Sequence, residues 1–180
     1  MIYVHFAEGF EEIEALTIVD VLRRAECDVQ MVSVTGNLEV TGTHGVKVWI
    51  DLLFEDAKYD QCEMIVLPGG MPGAANLQDH DGLKEQILAF AAEGKKLAAI
   101  CAAPMVFGAH GVIEGKNATI YPGMEECLIG ATPTGQSVCQ DGTIVTGQGP
   151  ALAMEFALKL VEVLKGRTVR DEVASGLLYK

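Results

Sequence analysis

The chain is short of positive charge, of aromatic side chains and of long apolar runs, and these shortages exclude whole classes of function. Thirteen Lys and Arg stand against 25 Asp and Glu among 180 residues, a formal net charge of −12. Nucleic-acid backbones are met by clusters of Lys and Arg, so no nucleic-acid partner is expected. The acidic balance favours solubility instead. No apolar run approaches the roughly 18 residues of a membrane span, so no membrane partner is expected. The first residues, Met1-Ile2-Tyr3-Val4-His5, lack the basic stretch and apolar core of a secretion signal. The five cysteines, at 27, 62, 101, 127 and 139, form no CxxC pair and no zinc-ligand spacing. No metal is expected, and the scattered thiols fit a reducing, cytoplasmic setting. The run Gly69-Gly70-Met71-Pro72-Gly73 spells neither a P-loop nor GxGxxG, which argues against a nucleotide cofactor.

What is present is a hydrophobic fraction of 49% and 20 glycines. The length fits a single domain, residues 1–180, with one sizeable core. Apolar strands are predicted at 2–6, 29–34, 64–67, 97–100 and 143–146, and helices at 11–26, 83–92, 105–110 and 151–164. In the first helix Ala15, Ile18, Val19, Leu22 and Ala25 recur at the spacing of a buried stripe. Residues 38–50 read as a hairpin excursion, 117–120 and 137–139 as shorter strands, and 124–129 has no assignment. Near-continuous apolar strands alternating with helices imply an α/β fold with a mostly parallel sheet covered on both faces. Ligand sites in such sheets lie beyond the carboxyl ends of the strands. The loops 9–14, 69–73, 101–104 and 147–150 should converge there.

Cys101 follows the strand Leu97-Ala98-Ala99-Ile100 and precedes Ala102-Ala103-Pro104, where a helix begins. Free N–H groups at such a turn favour a thiolate, so the thiol pKa is expected to fall and Cys101 to act as a nucleophile. Free cysteine is also among the most buried residue types, and a packing role is the other reading. Glu14 shares the inward stripe with Ile18. A carboxyl there is partly desolvated, its pKa is raised, and it can donate to a thiolate or shuttle a proton. Glu11 and Glu12 read as solvated acids favourable to the helix start. Gly69 and Gly70 supply a tight turn, and the N–H groups of Gly70 and Ala102 can form an oxyanion hole. None of the four histidines lies beside Cys101 in sequence, so no Cys–His dyad is signalled. His5 falls inside the first strand, His44 can reach a site edge, His80 reads as exposed, and His110 as structural or exposed. The other four cysteines read as ordinary buried or surface thiols.

These segments resemble the ThiJ/PfpI superfamily. The resemblance rests on Glu11-Glu12-Ile13-Glu14-Ala15, Val19-Asp20-Val21-Leu22-Arg23-Arg24-Ala25, Val66-Leu67-Pro68-Gly69-Gly70, Ala98-Ala99-Ile100-Cys101-Ala102-Ala103-Pro104 and Gly147-Gln148-Gly149-Pro150. It runs in order over essentially the whole chain, and it is to the DJ-one (Parkinson disease protein 7)-like branch, especially its bacterial members. The resemblance implies a flavodoxin-like three-layer α/β sandwich, a homodimer, and a reactive cysteine on a nucleophile elbow, matching Cys101. It implies a buried protonated glutamate, matching Glu14, and the amides of Gly70 and Ala102 around the reacting oxygen. Tyr121, Gly69, Ala103 and Gln148 then fall at the substrate pocket. The implied activities are cofactor-free glyoxalase chemistry on dicarbonyls such as methylglyoxal, deglycation of glycated adducts, and oxidation sensing with chaperone-like protection. Some relatives carry an older thiamine thiazole-phosphate biosynthesis label. Two departures stand out. Tyr121-Pro122 occupies the place of a histidine–proline pair of animal members, which leaves Glu14 as the proton shuttle. Gln148 stands where those members have arginine. Ala102, where the protease-like branch has histidine, argues against peptidase activity.

Overall fold

The strands predicted from continuous apolar runs form the middle of one sheet. In a computed structural model of residues 1–180, β1 (Ile2–Phe6) is followed by α1 (Glu12–Arg24) and β2 (Val29–Ser33). A hairpin of β3 (Glu39–Thr41) and β4 (Lys47–Trp49) and the short β5 (Leu52–Leu53) lead to β6 (Met64–Leu67). Next come α2 (Gly73–Gln78), α3 (Asp81–Glu93), β7 (Lys96–Ile100), α4 (Pro104–Ala109) and β8 (Asn117–Ala118). The remaining elements are β9 (Thr132–Pro133), β10 (Val138–Asp141), β11 (Ile144–Gly147), α5 (Ala153–Lys165) and α6 (Arg167–Gly176). The seven-stranded sheet has the order β10-β11-β7-β6-β1-β2-β5, and β10 alone runs antiparallel to its neighbour.

Every residue of β1, β6 and β11 is buried, as a strand covered on both faces requires. One helix layer holds α1 against α5 and α5 against α6, and the other holds α2 against α3 and α4. The result is a flavodoxin-like three-layer sandwich. Leu67 pairs with Ala99 and Gly147 with Ile100. The carboxyl ends of β6, β7 and β11 are therefore level, and the loops that leave them start from one place.

The hairpin at 38–50 forms as predicted, as a separate two-stranded sheet. The segment at 117–120 departs from expectation: only Asn117–Ala118 is extended, and it pairs with β9 in a separate two-stranded sheet beside β10. Four elements lack a sequence signal. β5 and β9 have two residues each, α2 starts inside the glycine-rich run, and α6 buries only Ala174. Residues 125–127 make a single 3-10 turn. His80 is half-buried rather than exposed, because its Nδ1 caps α3 by accepting from the Leu83 N–H at 3.0 Å. No helix is long and apolar enough to cross a membrane.

His5 lies inside β1, with Nε2 2.7 Å from the Tyr59 hydroxyl and Nδ1 without a partner. Burial pushes its pKa from 6.5 down to about 3. Between those values the unfolded chain binds a proton that the folded chain refuses. His5 should therefore cost stability as the pH falls from 6.5 to 3, summing to roughly 5 kcal/mol. Urea unfolding across this range checks it. The slope of stability against pH should flatten in His5→Phe, whatever that variant's stability at neutral pH.

Candidate active site

Cys101 occupies the turn from β7 into α4, with φ of +62°. A residue with a side chain adopts this left-handed backbone at a cost of roughly 1–2 kcal/mol, so the surroundings must hold it there. They do so through the main chain. The Cys101 N–H donates to Gly147 O at 2.9 Å, the Cys101 carbonyl accepts from the Tyr121 N–H at 2.9 Å, and the Ala103 N–H returns to Ile100 O at 3.0 Å. Pro104 opens α4, where its missing N–H is not needed. The thiol sits almost wholly inside the protein, with Cys101 8% exposed.

Glu14, in the first turn of α1, is fully buried. Glu11 caps that helix, its Oε2 accepting from the Glu14 N–H at 2.8 Å. Glu14 Oε2 accepts from the Gly69 N–H at 2.8 Å, and Oε1 is buried without a partner. Burial pushes the Glu14 carboxyl up to about 7, while the neighbouring Cys101 thiol and the hydrogen bond from the Gly69 amide draw it down.

The Cys101 thiol does not show the lowering expected from a helix start. Burial first, and then the charge of an ionised Glu14, push it up to about 12, while the amides of Gly70 and Ala102 pull it down. α4 is only six residues long, and its few free amides are outweighed. Glu14 and Cys101 titrate as one unit. When Glu14 keeps its proton its charge no longer opposes the thiolate, and its O–H becomes a donor beside the sulfur.

The glycine pair closes the site from the other side. A Cβ on Gly69 would stand 2.6 Å from Cys101 Cβ and 2.8 Å from Glu14 Oε2. Gly70 has φ of +90°, and a Cβ there would stand 2.5 Å from the Glu11 nitrogen and 2.6 Å from Gly9 O. The Gly69 carbonyl accepts from the Glu11 N–H at 2.9 Å. The four loops expected to converge thus touch one another through backbone and small side chains.

Ala102 and Ala103 are buried behind the elbow. Tyr121, tied to the Cys101 carbonyl, joins Pro122 and Gln148–Leu152 around a cavity of about 400 Å³. Gln148 Nε2 donates to Gly135 O at 3.3 Å. Glu11 and Glu12 are not solvated as the sequence suggested. Both are buried, Glu11 as the helix cap and Glu12 because the β3–β4 hairpin folds over it. His44 does reach this edge, with Nδ1 2.8 Å from Glu12 Oε2. Glu is not among the residue types favoured at a helix cap, so the capping role of Glu11 has no sequence signal. The Glu12–His44 pair, 32 residues apart, has no local signal. His110 is half-buried, its backbone N–H donating to Val106 O within its own helix. Cys27, Cys62 and Cys139 are buried free thiols, with Cys127 partly so.

The sequence model of the DJ-1/PfpI family matches residues 1–163. The chain belongs to the DJ-1/PfpI family. Among DJ-1 relatives, Protein DJ-1 homolog B of Arabidopsis thaliana is 39% identical over 99% of this chain. This chain spans 41% of homolog B and 46% of homolog A from the same plant, under half of each. Protein dj-1beta of Drosophila melanogaster is 36% identical, over 97% of this chain and 95% of its own length. The Caenorhabditis elegans protein named glutathione-independent glyoxalase DJR-1.2 is 31% identical, over 88% of this chain and 85% of its own. The solved structure of oxidized Toxoplasma gondii DJ-1 superposes with a TM-score of 0.95 at 38% identity, covering 99% of this chain and 97% of that one. These DJ-1 relatives are eukaryotic, and they do not bear on the bacterial subtype expected above.

Proposed function

We propose that the protein is a glutathione-independent glyoxalase that converts methylglyoxal and related dicarbonyls to hydroxy acids. The observation that carries this reading is the fully buried carboxyl of Glu14 beside Cys101, the two so close that a single Cβ on Gly69 would stand within 2.8 Å of both; burial raises that carboxyl to about 7. A general acid/base works best with a pKa near the operating pH. The resemblance to a nematode protein named a glutathione-independent glyoxalase supports the same chemistry.

In this reading the Cys101 thiolate adds to the aldehyde carbon, forming a C–S bond and a hemithioacetal oxygen. The amides of Gly70 and Ala102 stabilise that oxygen, and Glu14 supplies its proton. Glu14 then takes the hydrogen of the former aldehyde carbon and returns a proton to the neighbouring carbonyl carbon. The first carbon is oxidised and the second reduced within one molecule, leaving a thioester of lactate. Water cleaves the thioester, and Cys101 is regenerated. The sum is methylglyoxal plus water to lactic acid, with no cofactor consumed. Tyr121 and Gln148 line the approach, while Gly69 and Ala103 pack around the Cys101 turn. The same attack on an early glycation adduct would be the deglycase form of the reaction. We also propose a homodimer, on the strength of Ile13 and Leu16, exposed one turn apart on α1, and a reducing, cytoplasmic setting, on the strength of five free cysteines. Lactate formation from methylglyoxal by purified protein, without glutathione, tests the catalytic reading, and no lactate at millimolar substrate would remove it.

A second reading is favoured by the likeness to a DJ-1 structure solved in an oxidized state. Here Cys101 is a peroxide sensor, two equivalents of peroxide giving the sulfinate and two waters, with chaperone-like protection as the output. Intact mass after mild peroxide distinguishes it: selective gain of two oxygens, absent in Cys101→Ala, accompanied by no lactate formation, favours sensing.

A further inference from the structure

Beside the Cys101 site the structure assembles a second group of chemically competent side chains that the proposed reaction does not use. Glu11, Glu12 and His44 offer one ligand atom each, and these atoms lie within 4.8 Å of one another. His44 Nδ1 stands 2.8 Å from Glu12 Oε2 and 4.0 Å from Glu11 Oε1. The carboxylates are held from behind. Glu12 Oε1 accepts from the His44 N–H at 2.7 Å, and Glu11 Oε2 from the Glu14 N–H at 2.8 Å. Each acid therefore keeps one fixed oxygen and turns the other toward the imidazole. A Cβ at Gly42 would run into the Glu12 carboxylate, so this glycine leaves the room in which that carboxylate sits.

The charge and the hydrogen bonding of this group are incomplete. Glu11 and Glu12 have side chains only 7% and 10% exposed, and His44 is the one cationic group paired with them. Even protonated, it neutralises one of two buried carboxylates. No hydrogen bond reaches Glu11 Oε1, although the residue is more than nine-tenths buried. That oxygen is left free of protein donors and open on the imidazole side, 4.0 Å from His44 Nδ1. Replacing the shared Nδ1 proton by a divalent cation satisfies both carboxylates and balances their charge.

We propose that Glu11, Glu12 and His44 form a binding site for a borderline divalent transition cation of the zinc, cobalt and nickel class. One imidazole nitrogen with two carboxylate oxygens suits such ions, whereas magnesium and calcium prefer oxygen alone. Three protein ligands leave a coordination position for water. That position faces solvent, because His44 is 71% exposed. Binding breaks the Nδ1–H···Oε2 hydrogen bond, forms metal bonds to Nδ1, Glu12 Oε2 and Glu11 Oε1, and releases the Nδ1 proton to solvent. The ligand oxygen of Glu11 and the oxygen that caps the Glu14 amide belong to one carboxylate. Occupancy therefore draws charge from a group one helical turn from Glu14, so the site is placed to tune the carboxyl beside Cys101.

Co²⁺ titration of the full chain, followed by its visible spectrum, tests the site. The background is Cys101→Ala, so that the nearest thiol cannot capture the ion. One Co²⁺ per chain is expected, with no sulfur-to-metal charge-transfer band. His44→Gln should weaken binding beyond the 10–100-fold, roughly, that an outer-shell partner is worth. Glu11→Gln, which keeps an oxygen to cap α1, should weaken it as well. His44 lies on an exposed turn, and circular dichroism confirms that its variant is folded. Binding unchanged in His44→Gln, a thiolate band in the Cys101→Ala background, or no uptake at millimolar Co²⁺ would each overturn the proposal. None of these results depends on whether the protein turns over methylglyoxal.

Discussion

Cys101→Ala is expected to lower lactate formation from methylglyoxal by about 10³-fold or more, since removing a covalent nucleophile removes the reaction path itself. Cys101→Ser should be nearly as inactive, because an alcohol at this buried position is far harder to ionise than a thiol. Glu14→Gln is expected to lose roughly 10²-fold or more. It retains the shape and an acceptor for the Gly69 N–H but carries no exchangeable acid proton. The wild-type rate should change with pH around an apparent pKa near 7 that belongs to the Glu14–Cys101 pair. That step should be absent in Glu14→Gln. Full activity in Glu14→Gln beside inactivity in Cys101→Ala would falsify the proton-transfer role. The same carboxyl has a stability signature of opposite sign to that of His5. Its folded pKa is raised from 4.5 to about 7, so the folded chain holds a proton that the unfolded chain has released. That contribution is complete below pH 4.5 and is lost as the pH rises through 7. At pH 8 Glu14→Gln should therefore be the more stable protein, by roughly 3 kcal/mol, although it is the poorer catalyst.

Gly70→Ala should be the most damaging single-methyl addition at this turn. Gly70 has φ of +90°, and the new Cβ would stand 2.5 Å from the Glu11 nitrogen, 2.6 Å from Gly9 O and 2.8 Å from Phe10 C. All three are main-chain atoms, so no side chain can rotate away to relieve the contact. The substitution combines a disfavoured backbone with overpacking, together roughly 3 kcal/mol or more. For a chain of this size that lowers Tm by about 6–12 °C, readable by thermal circular dichroism. Catalysis should fall further than stability, because the displaced loop carries the amide that faces Cys101 and adjoins the Gly69 N–H that donates to Glu14. A wild-type Tm in Gly70→Ala would show that this turn has room that the geometry denies.

The parts legible in the sequence are those that local chemistry decides. Continuous apolar runs identified β1, β6 and β7 because both faces of those strands are covered. The 3-4 stripe of α1 placed Glu14 inward, and the loops beyond the strands pointed to Cys101. What sequence reading missed depends on partners distant along the chain. Glu12 looked solvated because nothing near it announces His44, which arrives on a hairpin and buries it. The direction of the Cys101 shift was misread for the same reason. The helix start is local and visible, but the burial and the Glu14 charge that outweigh it come from α1 and the sheet. β5 and α2 escaped because two strand residues or six helical ones make no periodic pattern.

The hydrogen bonds that set the elbow also fix when in the life of the molecule it can exist. The Cys101 N–H needs Gly147, and the Cys101 carbonyl needs Tyr121. During synthesis on a ribosome the thiol leaves the exit tunnel long before β11 and α5, and contacts between remote segments close late. Until they close, the turn has nothing to hold its left-handed backbone, and the thiol is an ordinary solvated one. A nascent or truncated chain lacking residues beyond 140 thus carries the nucleophile without the frame that sets its acid and its amides around it. The acid and the amides therefore gather around the thiol only once β11 is in place.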